Sequence, residues 1–199
     1  MTTPFRAGQH RAVALIDHGL RGRAGAHVVG PVPVPDAYWA DPMILAGPLP
    51  TAADRDGLRV QLRGMLDAGV RTIVDLRTAA EPPGVRELFE KLARDDQPVA
   101  WTGFPVLNGA APSEPLLQLI LDTMDASLAR SRGVYVHCAG GRGRTGTVIA
   151  CWWIRHGIFE PEQALAELAL RREGLPNGHM PSPETPAQWR LVRGWEKGR

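Results

Sequence analysis

Ten consecutive residues, His137-Cys138-Ala139-Gly140-Gly141-Arg142-Gly143-Arg144-Thr145-Gly146, gather one thiol, two guanidinium groups, a hydroxyl and four glycines. Three readings compete for them. Gly141, Gly143 and Gly146 satisfy the spacing of a dinucleotide-binding turn, but that motif needs a second strand ending in an acid, and only the short Ile158-Phe159-Glu160 is available. The nucleoside-triphosphatase loop fails outright, because Thr147-Val148 stands where Lys and then Ser or Thr are required. In the second reading the glycines only make a tight turn, and Cys138 is a small buried hydrophobe. The third reading joins the residues into one device. Cys138 and Arg144 stand at C-x5-R spacing, so a loop between them can wrap a tetrahedral anion while the guanidinium returns to grip two oxygens. Glycines let such a loop turn its backbone N–H groups inward, and the start of a helix adds positive potential. The same field favours a thiolate over a thiol. A thiolate so placed attacks phosphorus, and the Thr145 hydroxyl can donate to the sulfur when it leaves.

This device needs a strand to deliver the cysteine and a helix to receive the arginine. Val134-Tyr135-Val136-His137 reads as a buried central strand, and Val148-Ile149-Ala150-Cys151-Trp152-Trp153-Ile154 as a largely buried helix. Upstream, Leu58, Leu62, Met65 and Leu66 mark an amphipathic helix ending at Ala68-Gly69, and β-branched Thr72–Leu76 follows as a strand. A helical stripe at Val85, Leu88, Phe89 and Leu92 precedes a second short strand around 99–104, and Asn108-Gly109 marks a turn. Ser113 is placed to cap a helix carrying Leu116, Leu117, Ile120, Met124 and Leu128. Pro161 opens another, and a last helix covers 184–196. Strands alternating with helices predict a single α/β domain whose short, mostly parallel sheet is flanked by helices. Residues 1–35, rich in Gly and Pro, read as an N-terminal extension, and 36–199 as the domain.

With 44% hydrophobic and 22% charged residues, the 199-residue chain can bury a core and is not of disordered composition. A net charge of +2 gives no reason to expect nucleic acid as a partner. Two cysteines make no disulfide framework, no apolar run is long enough to span a membrane, and no basic segment leads into an apolar one at the N-terminus. These features predict a cytoplasmic protein. A zinc site from His137, Cys138, Cys151 and His156 lacks ligand spacing, so neither metal nor other cofactor is expected. Composition leaves the oligomeric state open.

The stretch His137–Gly146 resembles the H-C-x5-R-[ST] loop of the cysteine-dependent tyrosine and dual-specificity phosphatases. The resemblance runs over roughly 38–196, through Tyr38-Trp39, Leu45-Ala46-Gly47, Ala68-Gly69-Val70, Asp75-Leu76, Phe104-Pro105-Val106 and Ser182-Pro183-Glu184-Thr185 with Gln188. The pattern is most similar to small bacterial dual-specificity-like members. It implies hydrolysis of phosphate monoesters through a phosphocysteine, without a metal, on a phosphorylated protein or a phosphorylated small molecule such as a nucleotide, sugar or inositol phosphate. Cys138 would be the nucleophile, Arg144 the phosphate clamp and Thr145 the aid to sulfur departure. Backbone N–H groups of Ala139, Gly140, Gly141, Arg142, Gly143 and Arg144 would hold the phosphate oxygens. His137 would order the loop and favour the thiolate, unless it is merely a satisfied core histidine. Gln188 resembles the glutamine that positions water, although a helix-surface role is the simpler view. Arg142 is either a solvated arginine or a second cation favouring substrates with more than one phosphate.

One position departs from the pattern. Counting along Phe-Pro-x-x-Asp-x-x-x-Pro from Phe104, the aspartate that serves the family as general acid falls on Asn108, with Pro112 in register. An amide cannot donate a proton in this way. Four explanations follow: Glu114 swings in, although it is equally well placed to complement a helix N-terminus; Asp36 or Asp41 serves from the N-terminal segment; the substrate supplies a good leaving group or its own proton; or the domain binds phosphorylated partners with little turnover, as a catalytically impaired relative of the phosphatases.

Overall fold

The computed structural model describes residues 30–81, 85–93 and 97–199. Five strands, Tyr38–Asp41 (β1), Ile44–Gly47 (β2), Val70–Asp75 (β3), Ala100–Gly103 (β4) and Gly133–His137 (β5), form one sheet in the order β1-β2-β5-β3-β4. β1 and β2 make an antiparallel hairpin, whereas β2, β5, β3 and β4 run parallel. The strand that comes last in the chain therefore lies in the middle of the sheet.

Side chains alternate across the sheet with the period of two that strands impose. Ile44, Ala46, Val74, Val134 and Val136 point to one face, where they pack on Glu114–Leu128 (α3), Gly143–Arg155 (α4), Pro161–Arg172 (α5) and Pro186–Arg193 (α6). Leu45, Ile73 and Tyr135 point to the other and meet Leu62, Met65 and Leu66 of Arg55–Asp67 (α1) and Phe89 of Arg86–Leu92 (α2). Because both faces are covered, the central strands read as unbroken apolar runs.

Helix ends follow local chemistry. The Asp54 carboxylate accepts from Gly57 N at 2.7 Å to open α1, and Gly69, with φ +85°, turns the chain away after it. Ser113 occupies the cap position of α3 but makes no side-chain cap bond; Pro115 in the first turn leaves one fewer N–H to satisfy. The last helix is shorter than 184–196, because Thr185 and Gln188 form a capping box that starts it at Pro186, and Gly194 caps its other end.

Residues 1–29 of the expected extension lie outside the described residues. The remainder of it is packed against the domain: Val34 is 1% exposed among Leu62 and Met65, and Trp39 Nε1 donates to Gly30 O at 3.1 Å. Among the described residues no helix is long and apolar enough to cross a membrane.

Candidate active site

Four parallel strands end at one edge of the sheet, and in open α/β sheets the crevice beyond the carboxyl ends is where ligands bind. Each of these strands sends a segment there. β2 runs into Gly47-Pro48-Leu49, β3 into Leu76–Glu81, β4 into Phe104–Asn108, and β5 into the loop from Cys138 to Arg144.

Cys138 is a free thiol, 3% exposed, one residue beyond the central strand. The loop after it is pressed onto the end of β2. Leu49 N donates to Ala139 O, and Gly141 adopts φ +65° so close to the backbone that a Cβ there would lie 2.3 Å from the Gly47 carbonyl carbon. Only glycine fits that turn. The consequence is electrostatic: none of the backbone N–H groups from Ala139 to Thr145 has an acceptor among the described residues. Together with the N-terminus of the thirteen-residue α4, they form a concentration of donors suited to an anion.

Arg144 rises from the first turn of α4 and is 2% exposed. Its Nη1 donates to Glu81 Oε1 at 2.6 Å and to Val106 O at 3.0 Å; its Nη2 donates to Glu81 Oε2 at 2.8 Å and to Asn108 Oδ1 at 3.3 Å. Among the described residues Nε is buried without a hydrogen-bond partner of good geometry, although the Arg144 side chain interacts with Cys138. Burial alone would lower the guanidinium pKa, but the Glu81 bonds and the charges of Cys138 and Glu81 raise it, so Arg144 stays cationic. The hydrogen bonds from Arg144 in turn hold the Glu81 carboxyl down at about 2. Thr145 is fully buried and its hydroxyl also lacks a partner.

His137 is enclosed completely. Its Nδ1 lies 3.2 Å from Cys138 O, which assigns the ring proton to that nitrogen, and its Nε2 lies 3.7 Å from Asp75 Oδ1. Burial pushes its pKa down to about 4 against the pull of Asp75 and of the Cys138 carbonyl. The ring is therefore neutral at neutral pH. It orders the start of the loop through Nδ1–H and contributes no positive charge to the thiol. Asp75 is itself clamped by Arg77 Nε at 2.9 Å and Nη2 at 2.8 Å and accepts from Trp101 Nε1 at 3.3 Å.

The model of the Swiss Army Knife protein, DSP-PTPase phosphatase domain, matches residues 38–192. The chain belongs to this phosphatase family. Among its relatives, a putative tyrosine phosphatase, 067L, of Invertebrate iridescent virus 3 is 30% identical over 121 residues, covering 59% of this chain and 48% of the viral protein. The dual specificity protein phosphatase CDC14AB of Danio rerio is 34% identical over 68 residues, 34% of this chain and 11% of that protein. The chain thus spans half or less of the length of these curated relatives. In structure it resembles Tk-PTP in its active form (TM-score 0.65, 24% identity, 81% of this chain and 97% of that one) and PTPMT1 in complex with PI(5)P (TM-score 0.59, 20% identity, 80% and 94%). These two share the fold.

Within this phosphatase domain the other expected residues take the following places. Asn108 is at the site, its Oδ1 accepting from Arg144 Nη2, and carries an amide at the position where the resemblance leads one to expect an acid. Glu114 is not: it begins α3 and pairs with Arg199 instead. Asp41 accepts from Met43 N within the hairpin, and Asp36, at φ +61°, lines a cavity of about 210 Å³ that also touches Ala139 and Arg77. Arg142 turns away from the loop interior, donating to Met180 Sδ at 2.8 Å and pairing with Glu184. Gln188 is fully buried and its amide is already bonded: Oε1 accepts from Glu184 N and Thr185 N, and Nε2 donates to Ala110 O at 2.9 Å. It fastens the turn that carries Asn108 rather than presenting a group to water. Trp39 Nε1 donates to Gly30 O and Trp101 Nε1 to Asp75 Oδ2. Cys151 is buried in α4, and burial raises its pKa. It has no part in the site.

Two acids were not singled out by the sequence. Glu81 lies 63 positions before Arg144, in a segment with no motif of its own, so spacing gives no link between them. Asp75 belongs to the strand run, where an acid followed by Arg77 at the strand end is a weak signal.

Proposed function

We propose that this domain hydrolyses a phosphate monoester through a phosphocysteine on Cys138. One observation supports this above the others: a buried free thiol opens a loop of seven unbonded backbone N–H groups that closes on a buried, cationic arginine. Phosphate oxygens entering the loop meet those donors and the Nε of Arg144, with the sulfur beneath phosphorus. The S–P bond forms as the ester P–O bond breaks; water then attacks phosphorus, and the sulfur leaves as a thiolate next to the Thr145 hydroxyl. Donors already aimed at the equatorial oxygens need no reorganisation at the transition state.

Pairing of Arg142 with Glu184 bears on the substrate. The additional cation that would have suited a second phosphate is neutralised by a carboxylate, so the geometry favours a single phosphate on its carrier. Phosphorylated tyrosine, serine or threonine side chains fit this description, as do singly phosphorylated small molecules. A nucleophile that must remain a free thiol suits a reducing compartment.

Rapid acid quench of the protein mixed with a 32P-labelled aryl phosphate should trap label on the protein. Cys138→Ser should abolish both the label and the turnover. Turnover that survives in Cys138→Ser removes the phosphocysteine mechanism.

A further inference from the structure

Asn108 leaves the reaction without its expected proton donor, yet a carboxyl group is present on the same guanidinium nitrogen. We propose that Glu81 is the catalytic acid and base of this domain, delivering the proton that Asn108 cannot; the inference rests on the phosphocysteine reading above. Glu81 Oε2 and Asn108 Oδ1 both accept from Arg144 Nη2, at 2.8 and 3.3 Å, so the carboxyl group sits beside the position the family's acid would fill. Its side chain is 17% exposed, so solvent reaches part of it. Thr78 N donates to Oε1 at 2.9 Å and orients the carboxyl from its own loop. The competing acids are worse placed: Glu114 pairs with Arg199, Glu184 with Arg142, and Asp75 lies under Arg77, while Asp36 lines a cavity with Ala139 and Arg77 to which neither Arg144 nor Asn108 contributes.

In the free protein Glu81 is a carboxylate because the guanidinium of Arg144 faces it and Arg77 stands nearby. Substrate changes both conditions. A phosphate in the loop draws the Arg144 fork to its own oxygens and sets negative charge beside Glu81, and each effect raises the proton affinity of the carboxylate. A monoester entering as its monoanion supplies the proton. Glu81 receives it and passes it to the bridging oxygen as the P–O bond breaks and the S–P bond forms, so the alcohol leaves neutral. The carboxylate then takes a proton from the water that attacks the phosphocysteine. Phosphorus gains an oxygen, sulfur regains its electron pair, and the proton departs with inorganic phosphate. In this scheme the Glu81–Arg144 pair is the resting state, and phosphate opens it.

The test compares a good and a poor leaving group, p-nitrophenyl phosphate and an alkyl phosphate, in the wild-type protein, Glu81→Gln, Asp36→Asn and the double variant Glu81→Gln/Asn108→Asp. Glutamine keeps the shape of Glu81 and one acceptor for Arg144. Any loosening of the guanidinium acts on both substrates alike, and the ratio of their kcat/KM values cancels it. We expect Glu81→Gln to lower kcat/KM for the alkyl ester about 10²–10³-fold, at least tenfold more than for the nitrophenyl ester, as loss of general acid catalysis requires. Asn108→Asp in that background should recover the alkyl ester about tenfold or more, and Asp36→Asn should leave the ratio unchanged. Equal losses on both esters would reduce Glu81 to a positioning residue for Arg144 and overturn the proposal. A selective loss in Asp36→Asn instead would overturn it in favour of that residue. Failure of the parent reading looks different: the wild-type protein would release no phosphate from either ester, or Cys138→Ser would still do so, and both conclusions would fall together.

Discussion

Gly141 is the residue on which the shape of the anion loop depends most directly, and its replacement by alanine isolates that dependence. Two costs add. At φ +65° an L-residue is disfavoured by roughly 1–2 kcal/mol. The new Cβ would also fall 2.3 Å from the Gly47 carbonyl carbon and 2.4 Å from Pro48 N, and both neighbours are backbone at the end of a central strand, unable to rotate aside. Overpacking of this kind costs typically about 1–3 kcal/mol. The sum, roughly 2–5 kcal/mol, corresponds to a melting temperature lower by about 4–20 °C for a domain of this size. Gly140 supplies the internal control, since a Cβ there meets nothing within 4 Å and its φ is not in the left-handed region. Thermal unfolding of Gly141→Ala, Gly140→Ala and the wild-type protein, with nitrophenyl phosphate turnover measured on the same samples, checks the reasoning. Gly141→Ala should melt early and lose turnover at least a hundredfold, because relief of the overlap must lift the N–H donors off the anion position. Gly140→Ala should stay within about 2 °C. If the Gly141 variant melted with the wild-type protein and turned over normally, the claim that the loop is braced against β2 would be refuted.

Two further outcomes follow from groups around the loop. His137 titrates at about 4 when folded but near 6.5 in an unfolded chain, so between these values the unfolded state binds more protons and stability falls as pH is lowered, by about 3 kcal/mol at most; urea unfolding at pH 7 and pH 4.5 should show the loss, and His137→Asn, which can still donate to Cys138 O, should show a flatter dependence. Gln188→Leu removes the acceptor of Glu184 N and Thr185 N and the donor to Ala110 O, and unsatisfied groups of this kind predict a loss of roughly 2–4 kcal/mol in the same urea assay.

Contiguous features of the site were legible in the sequence and distant ones were not. Cys138, the glycines, Arg144 and Thr145 lie within nine residues, and their spacing alone defines a loop that can surround an anion. The helices from Leu58 to Leu66 and from Leu116 to Leu128 were also readable, because a buried stripe at helical spacing has few alternatives. Strand order is a different matter. Periodicity reports that Val134–His137 is buried on both faces, but it does not report that this strand enters between β2 and β3. That insertion brings Leu76, Glu81, Val106 and Asn108 onto Arg144, and Gly47 and Pro48 against Gly141.

For a like reason spacing leaves the roles of Arg142 and Gln188 open. Each has a family-like position in the chain, yet the partners that determine its role, Met180 and Glu184 for the first and Ala110 with the α6 cap for the second, arrive from segments whose approach depends on how α6 packs on α4. A polar side chain has several uses at one position, and burial with its hydrogen bonds completed selects a structural one. By that criterion the groups left incomplete are the informative ones. Around the one thiol of the loop these are the N–H groups of Ala139–Thr145, Arg144 Nε, the Thr145 hydroxyl and His137 Nε2; among the described residues Tyr38, Gln61, Arg155 and Trp195 also carry a buried polar atom without a partner. Leaving a buried donor unbonded costs about 1–3 kcal/mol, and a fold that leaves Arg144 Nε and the Thr145 hydroxyl so beside a nucleophile is shaped for an anion that completes them. Glu81 is the exception: its carboxylate is fully engaged in the resting state, so its place in the reaction follows only from what phosphate would displace.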